Sequence, residues 1–412
     1  MSNFGKYYMR LYLLVYALYA YFNKGIAYSY LVEFILVVGV GYIFLNLKKY
    51  QLVLNKSTSL VLLFLIVNTV FVVLAIGKWT IKEIAQDALI FYYSIFIFIV
   101  FSLEESFDEL KNGLYFIYKY YPLFAVVSFL LVSYVPFCQK FVLFEPIPLF
   151  LYKFGDMSIH LLITTILLLT GQIKLAPKYA VINNLIIAYL FLVIATYNRA
   201  GMISYLFGLL LFLFIYRGKI SRQVFMSYSK ILPVFLIIVF GLYLNTKTEE
   251  NFQGRKVGFA QLEENITSIF SSGYNGSLED NKLWRLAWWG SILSDAVEPK
   301  NALMGKGLGV NLSEIAAITI EDEGLRSPHN FHLTILARFG FIILLLWFVW
   351  IYLHVSKLRY KENVYESSII IILLSFLLNA SFDVYLEGPM GAFPFWTWAG
   401  ILYLSDFKNS NA

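Results

Sequence analysis

The heptapeptide Arg326-Ser327-Pro328-His329-Asn330-Phe331-His332 closes the one long polar segment of an otherwise apolar chain, and an apolar helix begins directly after it. A neutral imidazole near its ordinary pKa can take a proton from a hydroxyl, so His329 at this boundary is a candidate general base. Asn330 would orient that imidazole or bind a substrate hydroxyl. The plainer reading is a histidine that caps a helix or bonds backbone. His332, three residues on, would share a helical face with His329. A two-histidine metal site needs further ligands, and none has suitable spacing, so no metal is expected.

Two arginines have the chemistry to hold phosphate. Arg199 lies in Tyr197-Asn198-Arg199-Ala200-Gly201, between two apolar runs. A guanidinium there is costly unless functional or paired, and its fork suits a lipid phosphate. The alternative is a helix-end anchor that snorkels to water. Arg285 opens Arg285-Leu286-Ala287-Trp288-Trp289-Gly290. It is either a second diphosphate ligand, with Trp284, Trp288 and Trp289 setting its depth at the membrane–water interface, or a solvated loop arginine. Arg338 would lie about two turns below His329, facing a cavity or paired with Asp383 or Glu387.

Gly305-Lys306-Gly307-Leu308-Gly309 lacks the strand-to-helix setting of a nucleotide loop and reads as a flexible reversal of the chain toward the membrane. Glu33, Asp87, Asp156 and Asp383 lie in or beside apolar runs and need basic partners. Asn265-Ile266-Thr267, Asn275-Gly276-Ser277 and Asn311-Leu312-Ser313 match the glycosylation acceptor pattern, which is common by chance.

The elements that must position these residues are apolar. Hydrophobic residues make up 59% of the chain and charged residues 14%. Runs near the ~20 residues that span a bilayer recur from end to end. The expected fold is all-α, a polytopic transmembrane helical bundle of about 12 spans with one large external loop containing short helices. The spans expected are Met9–Phe22, Tyr28–Leu47, Ser59–Ile76, Ala85–Leu103, Leu114–Val135 and Ser158–Thr170, with Pro122 a point of kinking in the fifth. Tyr179–Thr196, Gly201–Tyr216, Lys230–Leu244, Leu333–His354, Ser367–Phe382 and Met390–Leu404 follow. The first run lacks a small-residue cleavage site and reads as a retained helix. Cys138 is the single cysteine, which excludes an internal disulfide framework and a cysteine metal cluster.

The net charge of +6 does not imply nucleic acid, because most basic residues sit in short loops. Lys6 and Arg10, Lys48 and Lys49, Lys174 and Lys178, Arg217 to Lys230, and Lys357 to Lys361 fall on one side if the spans alternate. The positive-inside rule then makes both termini cytoplasmic. Three parts follow: an N-terminal bundle over 1–244 of about nine helices, an outward loop over 245–328, and about three helices over 329–412. The loop's first half reads as polar and irregular, and Leu283 to Leu293 as a short amphipathic helix.

In order, these residues resemble the O-antigen polymerase and O-antigen ligase superfamily, which includes capsule polymerases. The resemblance covers the whole topology. Arg199-Ala200-Gly201 is similar to the family's arginine at an outer helix end, and Arg285 with Trp288 to its loop arginine. Gly305, Gly307 and Gly309 resemble its glycine turn, and His329-Asn330 followed by Gly340 its most specific signature. Asn198, Arg338 and Ile343 depart from that pattern.

The resemblance implies an inverting, metal-independent glycosyltransferase of the bacterial inner membrane. Its catalytic residues would be His329, Arg199 and Arg285, with Asn330, Arg338, Gly305, Gly307 and Gly309 binding substrate. No cofactor is implied. The partners implied are an undecaprenyl-diphosphate-linked oligosaccharide, membrane lipids and a polysaccharide chain-length regulator. The activity implied first is polymerisation, with the growing chain moved onto the next lipid-linked repeat unit. Ligation onto lipid A–core or protein is the alternative. A lipid-linked oligosaccharide flippase ranks below both, because this chain gathers its arginines and histidine at one outer surface and shows no repeated halves.

Overall fold

Asn55 and Thr80 each start a helix by the same device. The Asn55 side chain accepts the Thr58 N–H at 3.0 Å, and Thr58 Oγ1 accepts the Asn55 N–H at 2.8 Å. Thr80 Oγ1 accepts the Glu83 N–H at 3.3 Å, and Glu83 Oε2 accepts the Thr80 N–H at 3.1 Å. Such reciprocal caps satisfy amides that the first helical turn leaves open. The computed structural model describes residues 3–47, 50, 52–144, 147–216, 249–250, 256–257, 259–270, 277–316, 325–358 and 363–410.

Helices α1 (Asn3–Phe22), α2 (Leu31–Leu45) and α3 (Lys56–Ala75) meet the first three expected spans. The span expected over Ala85–Leu103 is two helices, α4 (Ile81–Tyr92) and α5 (Ile95–Ser102), bent by 55°. Helix α6 (Phe107–Tyr134) continues through Pro122. Helix α7 (Pro136–Lys140) and an antiparallel pair, β1 (Val142–Phe144) and β2 (Ile147–Pro148), lead into α8 (Phe154–Leu169). Helices α9 (Pro177–Tyr197) and α10 (Arg199–Tyr216) follow. The expected span Lys230–Leu244 lies outside the described residues. A second antiparallel pair, β3 (Glu249–Glu250) and β4 (Lys256–Val257), precedes α11 (Phe259–Phe270), α12 (Ser277–Ala296) and α13 (Pro299–Ala302). The chain ends on α14 (Phe331–Lys357), α15 (Val364–Ala380) and α16 (Pro389–Ser410).

Among the described residues five helices are long and apolar enough to cross a membrane, or six if the bent α4–α5 pair counts as one span. Part of the difference from the expected count has a plain cause: helices α2, α8 and α15 are apolar but shorter than the ~20 residues a bilayer core requires. Helices α1 and α16 have the length but are not among the five. The set marks a multi-pass membrane protein.

The chain forms two compact units. One holds Met1–Ile35, Glu105–Ser272 and Asn363–Ser375, and the other Leu36–Glu104, Gly273–Glu362 and Phe376–Ala412. One of the breaks between them, after Ser272, falls inside the segment expected as a single loop.

In the first unit α8 is buried along nearly its whole length, and it carries a polar chain into the core. His160 Nδ1 lies 3.0 Å from the Tyr118 hydroxyl, which lies 2.6 Å from that of Tyr16. Helix α11 occupies sequence expected to be irregular. It docks through Leu262 against Ala195 and Met202. Asn265 adds bonds to the carbonyls of Ala195 and Thr196 at 2.9 and 2.7 Å. Its side chain is buried, so the acceptor pattern at Asn265 is not an open modification site. The pattern at Asn275 lies outside the described residues.

In the second unit α16 is buried against α5, while Phe64, Phe91, Phe71 and Phe339 tie α3, α4 and α14 together. Helix α12 packs through Trp288 and Ile292 onto Leu312 and Ala337. That contact sets the loop helix against the start of α14.

Candidate functional site

The second unit builds its site around a break in a helix. At Gly340, inside α14, φ is +80° and ψ is −177°. L side chains avoid that conformation, and a Cβ there would stand 2.4 Å from the Leu303 carbonyl oxygen. The break frees carbonyls that a continuous helix would use, and loop amides take them. Lys306 N–H donates to Ala337 O at 2.7 Å, and Gly307 N–H to Arg338 O at 3.0 Å. Gly305, Gly307 and Gly309 all have positive φ. The expected flexible reversal is thus a turn pinned by backbone bonds into the broken helix.

Four charged side chains brace this turn. Arg338 is 1% exposed and its Nη1 lies 2.5 Å from Asp87 Oδ2 on α4. The same nitrogen donates to Val310 O at 3.1 Å. Asp87 Oδ2 also accepts the Gly309 N–H at 2.7 Å. Arg326 donates to Gly309 O at 2.9 Å and pairs with Glu83 at 3.3 Å, while its other nitrogen lies 3.6 Å from Asp87. Arg338 therefore pairs closely with Asp87, and its charge also acts on Glu387. Asp87 is the partner that sequence reasoning did not assign, although an acid inside an apolar run is itself a signal.

His329 stands where this braced loop enters α14. Its φ is +53°, a left-handed value for a residue that has a Cβ. Such a conformation costs on the order of 1–3 kcal/mol and persists only when its surroundings impose it. Those surroundings are specific. Trp289 Nε1 donates to Pro328 O at 2.7 Å, and the Trp284 ring meets the imidazole edge-on at 6.0 Å. Asn330 caps α14, its side chain accepting the N–H groups of His332 and Leu333 at 3.1 Å each. Thr334, one turn on, donates to Glu387 Oε1 at 2.8 Å.

The turn after α15 supplies the facing carboxylate. Asp383 Oδ1 lies 3.8 Å from His329 Nδ1 and accepts its own neighbour's N–H, that of Val384, at 2.7 Å. Arg285 Nη1 donates to Phe382 O at 3.0 Å, which brings the loop arginine of α12 to the same turn. Asp383, Arg285 and His329 thus converge. Burial holds the Glu387 carboxyl above the usual carboxylate range, although bonds from Ser327 and Thr334 and the Arg338 charge act to lower it.

Other expected residues go elsewhere. His332 accepts a bond from Trp347 Nε1 at 3.1 Å and stacks on Phe348, so it faces the body of α14 and not His329. The tryptophans of α12 turn inward: Trp288 is fully buried and donates to Leu312 O at 2.9 Å. The indole N–H groups of Trp288 and Trp289 find loop carbonyls where the sequence suggested an interfacial belt. Arg199 opens α10 in the first unit, where Asn198 caps the helix by accepting the Gly201 N–H at 2.7 Å.

A cavity of about 730 Å³ lies on the other side of the turn, lined by Ser291, Ser294 and Asp295 of α12 with Glu298, Lys306, Val310 and Glu314. Lys306 Nζ pairs with Asp295 at 2.6 Å across it.

Residues 185–348 match the family model described as O-antigen ligase. The matched stretch holds Arg199, Arg285, the glycine turn, His329, Asn330 and Arg338, and it ends before Asp383. No curated protein matches the chain. The family match supports the O-antigen ligase and polymerase superfamily.

Proposed function

We propose that the chain is a membrane glycosyltransferase that moves a growing glycan from undecaprenyl diphosphate onto the next lipid-linked repeat unit, as an O-antigen or capsule polymerase does. The observation that carries this reading is His329, held in a left-handed backbone conformation with Nδ1 facing Asp383 at 3.8 Å. The match of residues 185–348 to the O-antigen ligase family model supports the same class of reaction.

With Nδ1 turned to the carboxylate, Nε2 is the nitrogen assigned to the acceptor hydroxyl. Asp383 orients the ring and stabilises the imidazolium that forms. As the acceptor oxygen attacks the anomeric carbon, its proton passes to His329 Nε2. The bond from that carbon to the phosphate oxygen breaks on the opposite face, so the configuration inverts. Undecaprenyl diphosphate leaves with the bonding pair, and the Arg285 guanidinium offsets its charge. The same role for Arg199 rests on the resemblance alone. Asn330 fixes the start of α14 through its Oδ1, and its side-chain NH2 is the group proposed to bind a substrate hydroxyl.

The chain then lies in the bacterial inner membrane with both termini cytoplasmic and residues 245–328 periplasmic. The cavity beside Lys306 offers hydroxyl and carboxylate partners suited to sugar hydroxyls. A polysaccharide chain-length regulator is a proposed partner.

The family description itself favours a second reading, transfer of the finished polymer to lipid A–core or protein. One experiment separates the two. The purified chain in lipid is given a lipid-linked repeat unit alone, then with lipid A–core. Lengthening without added acceptor supports polymerisation, and transfer only after its addition supports ligation.

A further inference from the structure

Helix α12 has two apolar faces, and only one is packed. The inner face carries Trp284, Trp288 and Ile292. The other carries Leu283, Leu286 and Leu293, spaced by three and seven residues, and continues past the helix end into Val297, Leu303 and Met304. These six are each between 49% and 67% exposed. Gly290 fills the gap in the row and is exposed as well. Along α12 Lys282 borders the row on one side and Ser291, Ser294 and Asp295 line the polar cavity on the other, and beyond the helix the exposed Glu298–Lys300 pair lies between Val297 and Leu303.

We propose that this stripe is a lipid-contacting face, and that α12 lies along the bilayer surface with the row immersed among the headgroups and upper acyl chains. Two observations choose lipid as the occupant. The backbone of Leu303 and Met304 packs on Gly340, and the residues that follow Gly340, Phe341, Ile342 and Leu345, are exposed on a helix long and apolar enough to cross a membrane. The stripe is therefore continuous with a lipid-facing span. The second concerns level. Gly309 packs on the Trp79 ring in the short turn that joins α3 to α4, flanked by exposed Ile76 and Ile81. The chain after α12 thus lies at the ends of membrane helices, where the bilayer surface runs.

An amphipathic helix at that depth gains by burying its apolar row while its polar face stays wet. The consequence reaches the site. The face opposite the lipid holds Pro328 through Trp289 and meets His329 through Trp284. Bilayer and histidine loop then grip one helix from two sides. None of this depends on the glycosyl-transfer reading.

The test uses the full chain in a Cys138→Ser background, because Cys138 is the only native thiol. Single cysteines at Leu286→Cys and Leu293→Cys on the stripe, and Ser294→Cys on the polar face, carry an environment-sensitive fluorophore. Each monodisperse protein is placed in nanodiscs of phosphatidylcholine and phosphatidylglycerol, with or without lipid bearing a doxyl quencher near the top of its acyl chain. The expected result is blue-shifted emission and loss of most fluorescence to the doxyl lipid at both stripe positions, with little change at Ser294→Cys. Water-like emission without doxyl quenching at the stripe positions would overturn the proposal. So would stripe positions shielded from aqueous iodide yet untouched by doxyl lipid, with cross-links between chains at Leu286→Cys, since a second copy would then cover the face.

Discussion

The Arg338 guanidinium lies 2.5 Å from the Asp87 carboxylate, and the two side chains are 1% and 6% exposed. The pair joins α14 to α4 beneath the glycine turn, and Asp87 also receives the Gly309 N–H. Two charges so deeply buried tolerate each other only because they are paired. Asp87→Asn leaves a buried cation uncompensated and is expected to cost about 3–5 kcal/mol. The unfolding midpoint in bicelles reads this loss. Adding Arg338→Met to Asp87→Asn should recover part of it. An unchanged midpoint for Asp87→Asn would contradict the brace.

Two glycines of the same turn should behave differently. Gly340 and Gly307 have φ of +80° and +84°, but only at Gly340 does an added Cβ meet backbone, 2.4 Å from Leu303 O. Gly307→Ala should cost only the conformational strain, on the order of 1–2 kcal/mol. Gly340→Ala must also displace the loop, and little monodisperse protein is expected. Equal yields of the two variants would show that the loop does not seat in the helix break.

The raised Glu387 carboxyl gives a pH signature. A carboxyl whose folded pKa exceeds its unfolded value contributes stability that is full in acid and lost as pH rises through the folded value. Glutamine imitates the protonated form. Across about pH 4 to pH 8, Glu387→Gln should match wild type at the acid end and exceed its melting temperature increasingly toward neutrality. A constant difference across that range would mean that Glu387 does not titrate as its burial implies.

Arg199→Lys keeps a charge but loses the bidentate fork. If Arg199 grips a diphosphate, polymer output should fall to a small fraction of wild type while expression and melting temperature stay level. Near-normal polymer length would instead mark a helix anchor.

Much of this was legible in the sequence, and what was not has physical causes. The span expected over Leu333–His354 is α14, and the amphipathic stretch Leu283–Leu293 is the centre of α12. Both show long apolar periods. Helix α11 does carry an apolar period, Phe259, Leu262, Ile266, Ile269 and Phe270, but it spans only three turns inside a polar, glycine-rich segment and so reads as part of the loop. The 55° bend between α4 and α5 sits in an unbroken apolar run, where Ser94, bonded to Phe91 O, is the only mark. The inward turn of Trp288 and Trp289 depends on carbonyls at Leu312 and Pro328, far along the chain. Asp383 was visible as an acid near a span, but its place beside His329 depends on how the chain folds back after α15.

If His329 is the base of glycosyl transfer, synthesis by purified protein in nanodiscs from an undecaprenyl-diphosphate-linked repeat unit must depend on it. Wild type, His329→Ala and Asp383→Asn are run together, each with and without EDTA, and folding is checked by melting temperature. General base catalysis contributes about 10²- to 10⁴-fold, so His329→Ala should lose at least that much rate while remaining folded. Asp383→Asn should lose less, because it positions the ring and does not take the proton. EDTA should leave the wild-type product ladder unchanged. A folded His329→Ala protein that builds the wild-type ladder at the wild-type rate would show that His329 is not the base.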